Sequence, residues 1–133
     1  IEELKKRYPS VEALNLPLLW MAQYQDGFIS LDAIDEISKI TTIPPMEVYR
    51  VATFYTMFKL EKPKKLLVSV CKTLSCKLCG SDEILEHLKT KDVEIEHVEC
   101  LGSCGTSPVM QIKDRYYEEL TPTKVDEILE ELS

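Results

Sequence analysis

The chain has 133 residues, 44% of them hydrophobic, enough to bury one or two small cores and too few for a large multidomain enzyme. Its 16 basic and 23 acidic side chains leave a formal net charge of -7, which argues against nucleic acid as a partner, because that binding needs clustered cations. No apolar run is long enough to span a bilayer and no export signal is visible, so a cytoplasmic location is expected; the first residue is Ile1 rather than Met, and nothing about targeting rests on that end.

The first half reads as helices. Pro17 suits the first turn of a helix through Leu18, Leu19, Trp20, Met21 and Ala22, and Gly27 suits its end. Ser30 is the expected cap of a second helix, with Asp32 in its first turn and Leu31, Ile34 and Ile37 on one face. A third begins at Pro44-Pro45. There Val51, Phe54, Tyr55 and Phe58 recur at helical spacing as an aromatic stripe, read as core packing within a helical bundle in preference to a docking surface.

Lys62-Pro63 and Lys64-Lys65 interrupt the chain, and the period then changes from helical to strand-like, which places a boundary between a helical domain, 1–62, and a second domain, 63–133. Leu66 to Val70 form a short buried strand that delivers Cys71. Ser81 or Asp82 starts a helix carrying Ile84, Leu85 and Leu88, and Val93 to Val98 form a second strand that ends just before Cys100. Val109 to Ile112 and Arg115 to Leu120 make a hairpin turning at Lys113-Asp114, and a last helix starts near Thr121-Pro122 with Val125, Ile128 and Leu129 on its apolar face. The expected class is α+β, a helical bundle followed by a thioredoxin-like α/β layer.

The five cysteines fall as Cys71-x4-Cys76-x2-Cys79 and Cys100-x3-Cys104. Five is an odd count and no export signal accompanies it, so metal binding is a better reading than disulfides. Two thiol groups at the mouths of two strands can converge, and four thiolates hold a [2Fe-2S] cluster. Inert core cysteines would explain one such residue but not five, and the segments around them, rich in Gly, Ser, Thr and Lys, read as loops. A zinc-stabilised interaction module needs the same four thiolates. A Rieske centre needs two histidines, whereas His87 and His97 stand in a helix and in a strand without paired cysteines. Cys76-Lys-Leu-Cys79 has the form of a redox dithiol, which leaves three cysteines unexplained. The first three cysteines also fit plant-type ferredoxin spacing, and spacing alone leaves that assignment open.

The segments LPLLWMAQYQDGFIS, VYRVATFYTMF, VSVCKTLSCKLCG, VECLGSCGTSPVMQI and LTPTKVDEILEEL together resemble the thioredoxin-like [2Fe-2S] subunits of respiratory NADH:quinone oxidoreductase over nearly the entire chain. The resemblance implies that Cys71, Cys76, Cys100 and Cys104 are the ligands and that Cys79 is not. It also implies a one-electron carrier, peripheral to the membrane through its parent complex, that takes electrons from the flavin of a partner flavoprotein. The stretch between Cys76 and Cys100 is shorter than in most respiratory members, and similar subunits serve NAD-linked hydrogenases and formate dehydrogenases with the same chemistry. Neither G-x-G-x-x-G nor a P-loop pattern occurs, so FMN and NADH are expected in the partner and no catalytic residue in this chain. Amides of Lys72 to Ser75 and of Leu101 to Ser103 are expected to donate to the sulfurs, with Gly102 and Gly105 easing the approach of the chain and Glu99 opposing reduction.

Overall fold

The computed structural model describes residues 1–132. The chain divides into two compact units, Ile1–Pro63 and Lys64–Ser133.

The first unit is helical: α1 (Glu2–Lys5), a 3-10 turn at Glu12–Leu14, α2 (Asn15–Asp26), α3 (Leu31–Thr41) and α4 (Pro45–Phe54). Gly27 closes α2 at φ 81°, in the left-handed region where glycine carries no Cβ penalty. The Ser30 hydroxyl caps α3 by accepting from the Ala33 amide at 3.1 Å. Leu14, Leu18, Leu19, Ile29, Ile34, Ile37, Val48, Ala52 and Phe58 form the core.

Two expectations change here. Leu31 does not share the face of Ile34 and Ile37 but is 71% exposed; the buried stripe runs Ile34, Ile37, Thr41, following the i, i+3, i+7 geometry of the helix. The aromatic stripe is not one helical face either. Helix α4 ends at Phe54, which is 75% exposed, and Tyr55 turns extended. Phe58 then returns to the core edge-on to Trp20, with ring centroids 5.2 Å apart. The Gln23 side chain fixes that return, donating to the Met57 carbonyl at 2.8 Å and accepting from the Lys59 amide at 2.6 Å.

The second unit runs β1 (Leu67–Cys71), α5 (Leu74–Leu78), α6 (Ser81–Leu88), β2 (Glu94–Val98), a 3-10 turn at Cys104–Thr106, β3 (Met110–Ile112), β4 (Arg115–Tyr117) and α7 (Pro122–Glu131). The sheet order is β2-β1-β3-β4, with β1 and β2 parallel and the other pairs antiparallel. A helical crossover is what a parallel neighbour requires, and α5 and α6 supply it. Val68 lies opposite Ile112 and Val70 opposite Met110, so one face of the sheet presents four apolar side chains. Ile84, Leu85 and Leu88 of α6 and Val125 and Ile128 of α7 pack in the same core. Thr121 caps α7 through the Lys124 amide at 3.2 Å. The hairpin turns at Lys113-Asp114 as expected, with Lys113 at φ 54°.

Ser30→Ala should destabilise the first unit by about 1 kcal/mol, seen as a lower urea midpoint by Trp20 fluorescence, whereas Leu31→Ala should stay within roughly 0.5 kcal/mol.

Candidate metal centre

Strand alternation sets Cys71 off the face that carries Val68 and Val70, and as the last residue of β1 it stands at the carboxyl end of the parallel pair, in register with Val98. Its amide donates to the Val109 carbonyl at 3.1 Å. The chain then turns into α5, whose N-cap is Thr73. That hydroxyl does not cap the helix; it lies 3.1 Å from Cys71 Sγ. One turn on, α5 carries Cys76, whose thiol donates to Ser107 Oγ at 3.5 Å. Cys71, Cys76 and Val109 are buried together, with Leu101 packed against them.

The second pair follows β2. Cys100 and Cys104 are both exposed, with sulfurs 3.7 Å apart, and the Gly102 amide donates to Cys100 Sγ at 3.3 Å. Two thiolates bound tetrahedrally to one metal ion at about 2.3 Å stand roughly 3.8 Å apart, so this spacing suits a shared ion. Cys71 lies beside Cys76 as Cys100 lies beside Cys104, two thiols at each loop, and among the described residues no three His, Cys, Asp or Glu side chains gather as a group for one ion.

The two pairs influence one another: the charge of Cys71 and the Ser75 hydroxyl of the first loop act on the Cys104 thiol, and the Leu101 backbone of the second loop acts on Cys71. Burial raises the Cys71 thiol, but bonds from the Thr73 hydroxyl and from the Thr73 and Leu101 amides outweigh it, so its pKa lies below the ordinary value. Burial holds Cys76 above the ordinary value, with a further upward push from Cys71 and partial relief from Ser107 and the Val109 amide. The bond and charge of Cys100 raise Cys104 in the same direction. Cys71 therefore gives up its proton more readily than Cys76, and metal assembly must displace the proton that Cys76 holds.

Several expectations are refined by these positions. Cys76 is not in a loop but inside α5 and buried. Cys79 is exposed at the end of that helix, with its amide bonded to the Ser75 carbonyl, and among the described residues no sulfur contact joins it to the other four. Of the expected amide donors, Thr73, Leu101 and Gly102 face sulfur, whereas the Lys72 amide closes the sheet onto the Val98 carbonyl at 3.2 Å. Sequence reasoning misses Val109, because only strand register brings it to Cys76. It also misses Ser107, although a hydroxyl residue beside a cysteine pair is a visible signal. Gly102 has φ 82° and no protein atom within 4 Å of where a Cβ would stand, so its requirement is conformational; Gly105 shows neither a positive φ nor a close neighbour. Glu99 is exposed and pairs with Lys72 at 3.8 Å. His87 is engaged elsewhere, 2.7 Å from Asp126, and His97 is exposed on β2.

The chain matches the thioredoxin-like [2Fe-2S] ferredoxin family across residues 1–133. It belongs to that family. The cofactor of this thioredoxin-like ferredoxin is a [2Fe-2S] cluster, and the paired thiols provide the donor set such a cluster needs. The E subunit of NADH-quinone oxidoreductase from Rickettsia bellii is 41% identical over 146 aligned positions, covering 98% of this chain and 87% of that one. The E 2 subunit of the same enzyme from Rhizobium meliloti is 34% identical over 142 positions, covering 98% and 84%. Among solved structures, an NAD+-reducing [NiFe]-hydrogenase in the air-oxidized state superposes with a TM-score of 0.69 at 20% identity over 91% of this chain. That likeness is one of fold, and the ferredoxin chain spans 23% of the hydrogenase chain. No helix among the described residues is long and apolar enough to cross a membrane.

Gly102→Ala should strain the Cys100–Cys104 loop by roughly 1–2 kcal/mol, because an L-residue must then hold a left-handed conformation. The expected result is faster amide exchange at Leu101 to Ser103 with an unchanged urea midpoint for the first unit.

Proposed function

We propose that this chain is the electron-transfer subunit of an NADH:quinone oxidoreductase, and that Cys71, Cys76, Cys100 and Cys104 hold its [2Fe-2S] cluster. Two thiol pairs in the loops after β1 and β2 support this reading, through the 3.7 Å spacing of the Cys100 and Cys104 sulfurs and the influence of Ser75 and Cys71 on Cys104 and of Leu101 on Cys71. The relatives named as E subunits of NADH-quinone oxidoreductase match along nearly the whole chain, which favours that parent enzyme over a hydrogenase whose likeness is one of fold.

When bound, the cluster supplies reversible one-electron chemistry. The chain's own residues hold and tune it. Thr73, Leu101, Gly102 and Val109 direct donors at the sulfurs and favour added negative charge, while Glu99 opposes it and Lys72 offsets Glu99. The electron comes from the reduced flavin of a partner flavoprotein subunit that also binds NADH. Residues 1–62 form the helical domain of this reading and 63–133 the cluster domain, and the chain sits at the membrane only through its parent complex.

Chain reconstituted anaerobically should contain two iron and two acid-labile sulfide, be brown, bleach with dithionite and give a half-spin EPR signal; a colourless protein with one zinc would overturn the reading. Cys79→Ala should keep full cluster content and Cys104→Ala should lose most of it. The reverse pair of results would assign the ligands to Cys71, Cys76, Cys79 and Cys100. Copurification with a flavoprotein tests the partner.

A further inference from the structure

Glu118 follows β4 and plays no part in the electron path described above. Its Oε1 accepts a hydrogen bond from Thr106 Oγ1 at 2.7 Å and another from Ser103 Oγ. The two hydroxyls lie 3.0 Å from each other. A single carboxylate oxygen is thus the common acceptor for the side chains on either side of Cys104. The backbone repeats the clasp, since the Glu119 amide donates to the Thr106 carbonyl at 2.7 Å. The anchor is itself held. Lys124 Nζ, in the first turn of α7, donates to the Glu118 carbonyl at 2.8 Å, and the Leu120 amide donates to the Pro108 carbonyl at 3.2 Å. The Ser103 and Thr106 bonds, with a smaller contribution from Lys124, keep the Glu118 carboxyl below the ordinary carboxylate range, so it is ionised at neutral pH and its bonds are charge-assisted.

A contact that merely closed the hairpin would have no reason to reach the cysteine loop. The segment held here carries both exposed thiols, the Gly102 amide aimed at Cys100 and the Leu101 amide aimed at Cys71. We propose that Glu118 is a positioning residue for the cluster: its carboxylate clamps Ser103 and Thr106, so that Cys100 and Cys104 keep the spacing one iron needs and the loop amides stay directed at sulfur. The proposal rests on the ligand set given above.

The test compares iron release to a chelator, cluster midpoint potential and apo-protein thermal stability in the reconstituted full chain and in Glu118→Ala, Glu118→Gln, the Ser103→Ala/Thr106→Val double variant and the triple variant with Glu118→Ala. Glu118→Ala and the double variant should each release iron about tenfold faster, in line with the loss of an outer-shell partner, and should shift the potential. The triple variant should be no faster than Glu118→Ala, because all three remove one clamp. Glu118→Gln keeps an acceptor oxygen at the same place and should restore slow release; it and the double variant decide the matter if Glu118→Ala does not fold. Release that rises only in step with lost apo stability, with the potential unmoved, would overturn the clamp, as would additive effects in the triple variant. Wild-type chain that takes up no iron would overturn the ligand set, and the clamp with it.

Discussion

In the proposed ligand set one electrostatic constraint governs the cysteine loops of the second unit: sulfurs that repel one another as thiolates must be held close until a cation joins them. The carboxyl ends of β1 and β2 provide the frame, because parallel pairing sets Cys71 level with Val98 and so brings the Cys100 loop alongside. The thiols respond unequally to their surroundings. Cys76 and Cys104 are both pushed toward the protonated form, the first chiefly by burial and the second by its neighbour Cys100, while Cys71 is drawn toward the thiolate by donors aimed at it. A site of this kind binds metal with release of protons, and its folding and its loading are linked.

Short polar groups do the positioning. Thr73 turns its hydroxyl to Cys71 and leaves α5 uncapped by a side chain; Ser107 serves Cys76 and also donates to the Cys104 carbonyl at 3.0 Å. Both hydroxyls are committed to the cysteine segments ahead of ordinary helix or turn capping. The Cys100–Cys104 loop has little apolar burial of its own, and hydrogen bonds to Glu118 and the backbone of the β4–α7 connection take its place. The two pairs thus differ in kind. Cys71 and Cys76 are set by core packing, Cys100 and Cys104 by a polar clasp.

The same distinction between packing and local pattern explains the first unit. Gln23 captures the Met57–Lys59 backbone and returns Phe58 to Trp20, which breaks what reads in sequence as one continuous aromatic face. Leu31 is apolar and opens an amphipathic helix, yet the angle of its position on α3 leaves it in solvent.

Local chemistry determined much of this protein from its sequence alone. Ser30 and Thr121 announce helix starts, Gly27 a helix end, and the Val68/Val70 and Ile84/Leu88 periods the faces of a sheet and a helix, because each depends on neighbours within one or two turns. Cysteine count and spacing likewise point to a thiolate metal site, since few other chemistries use five cysteines at such close spacings in so short a chain. Tertiary structure decided what depends on residues far apart: that Cys76 is buried in α5 while Cys79 faces outward, that the Val109 amide and Ser107 hydroxyl reach Cys76, and that Glu118 grips the second loop from beyond a hairpin. Those contacts are set by strand register and core packing, which act across the fold and leave no periodicity along the chain.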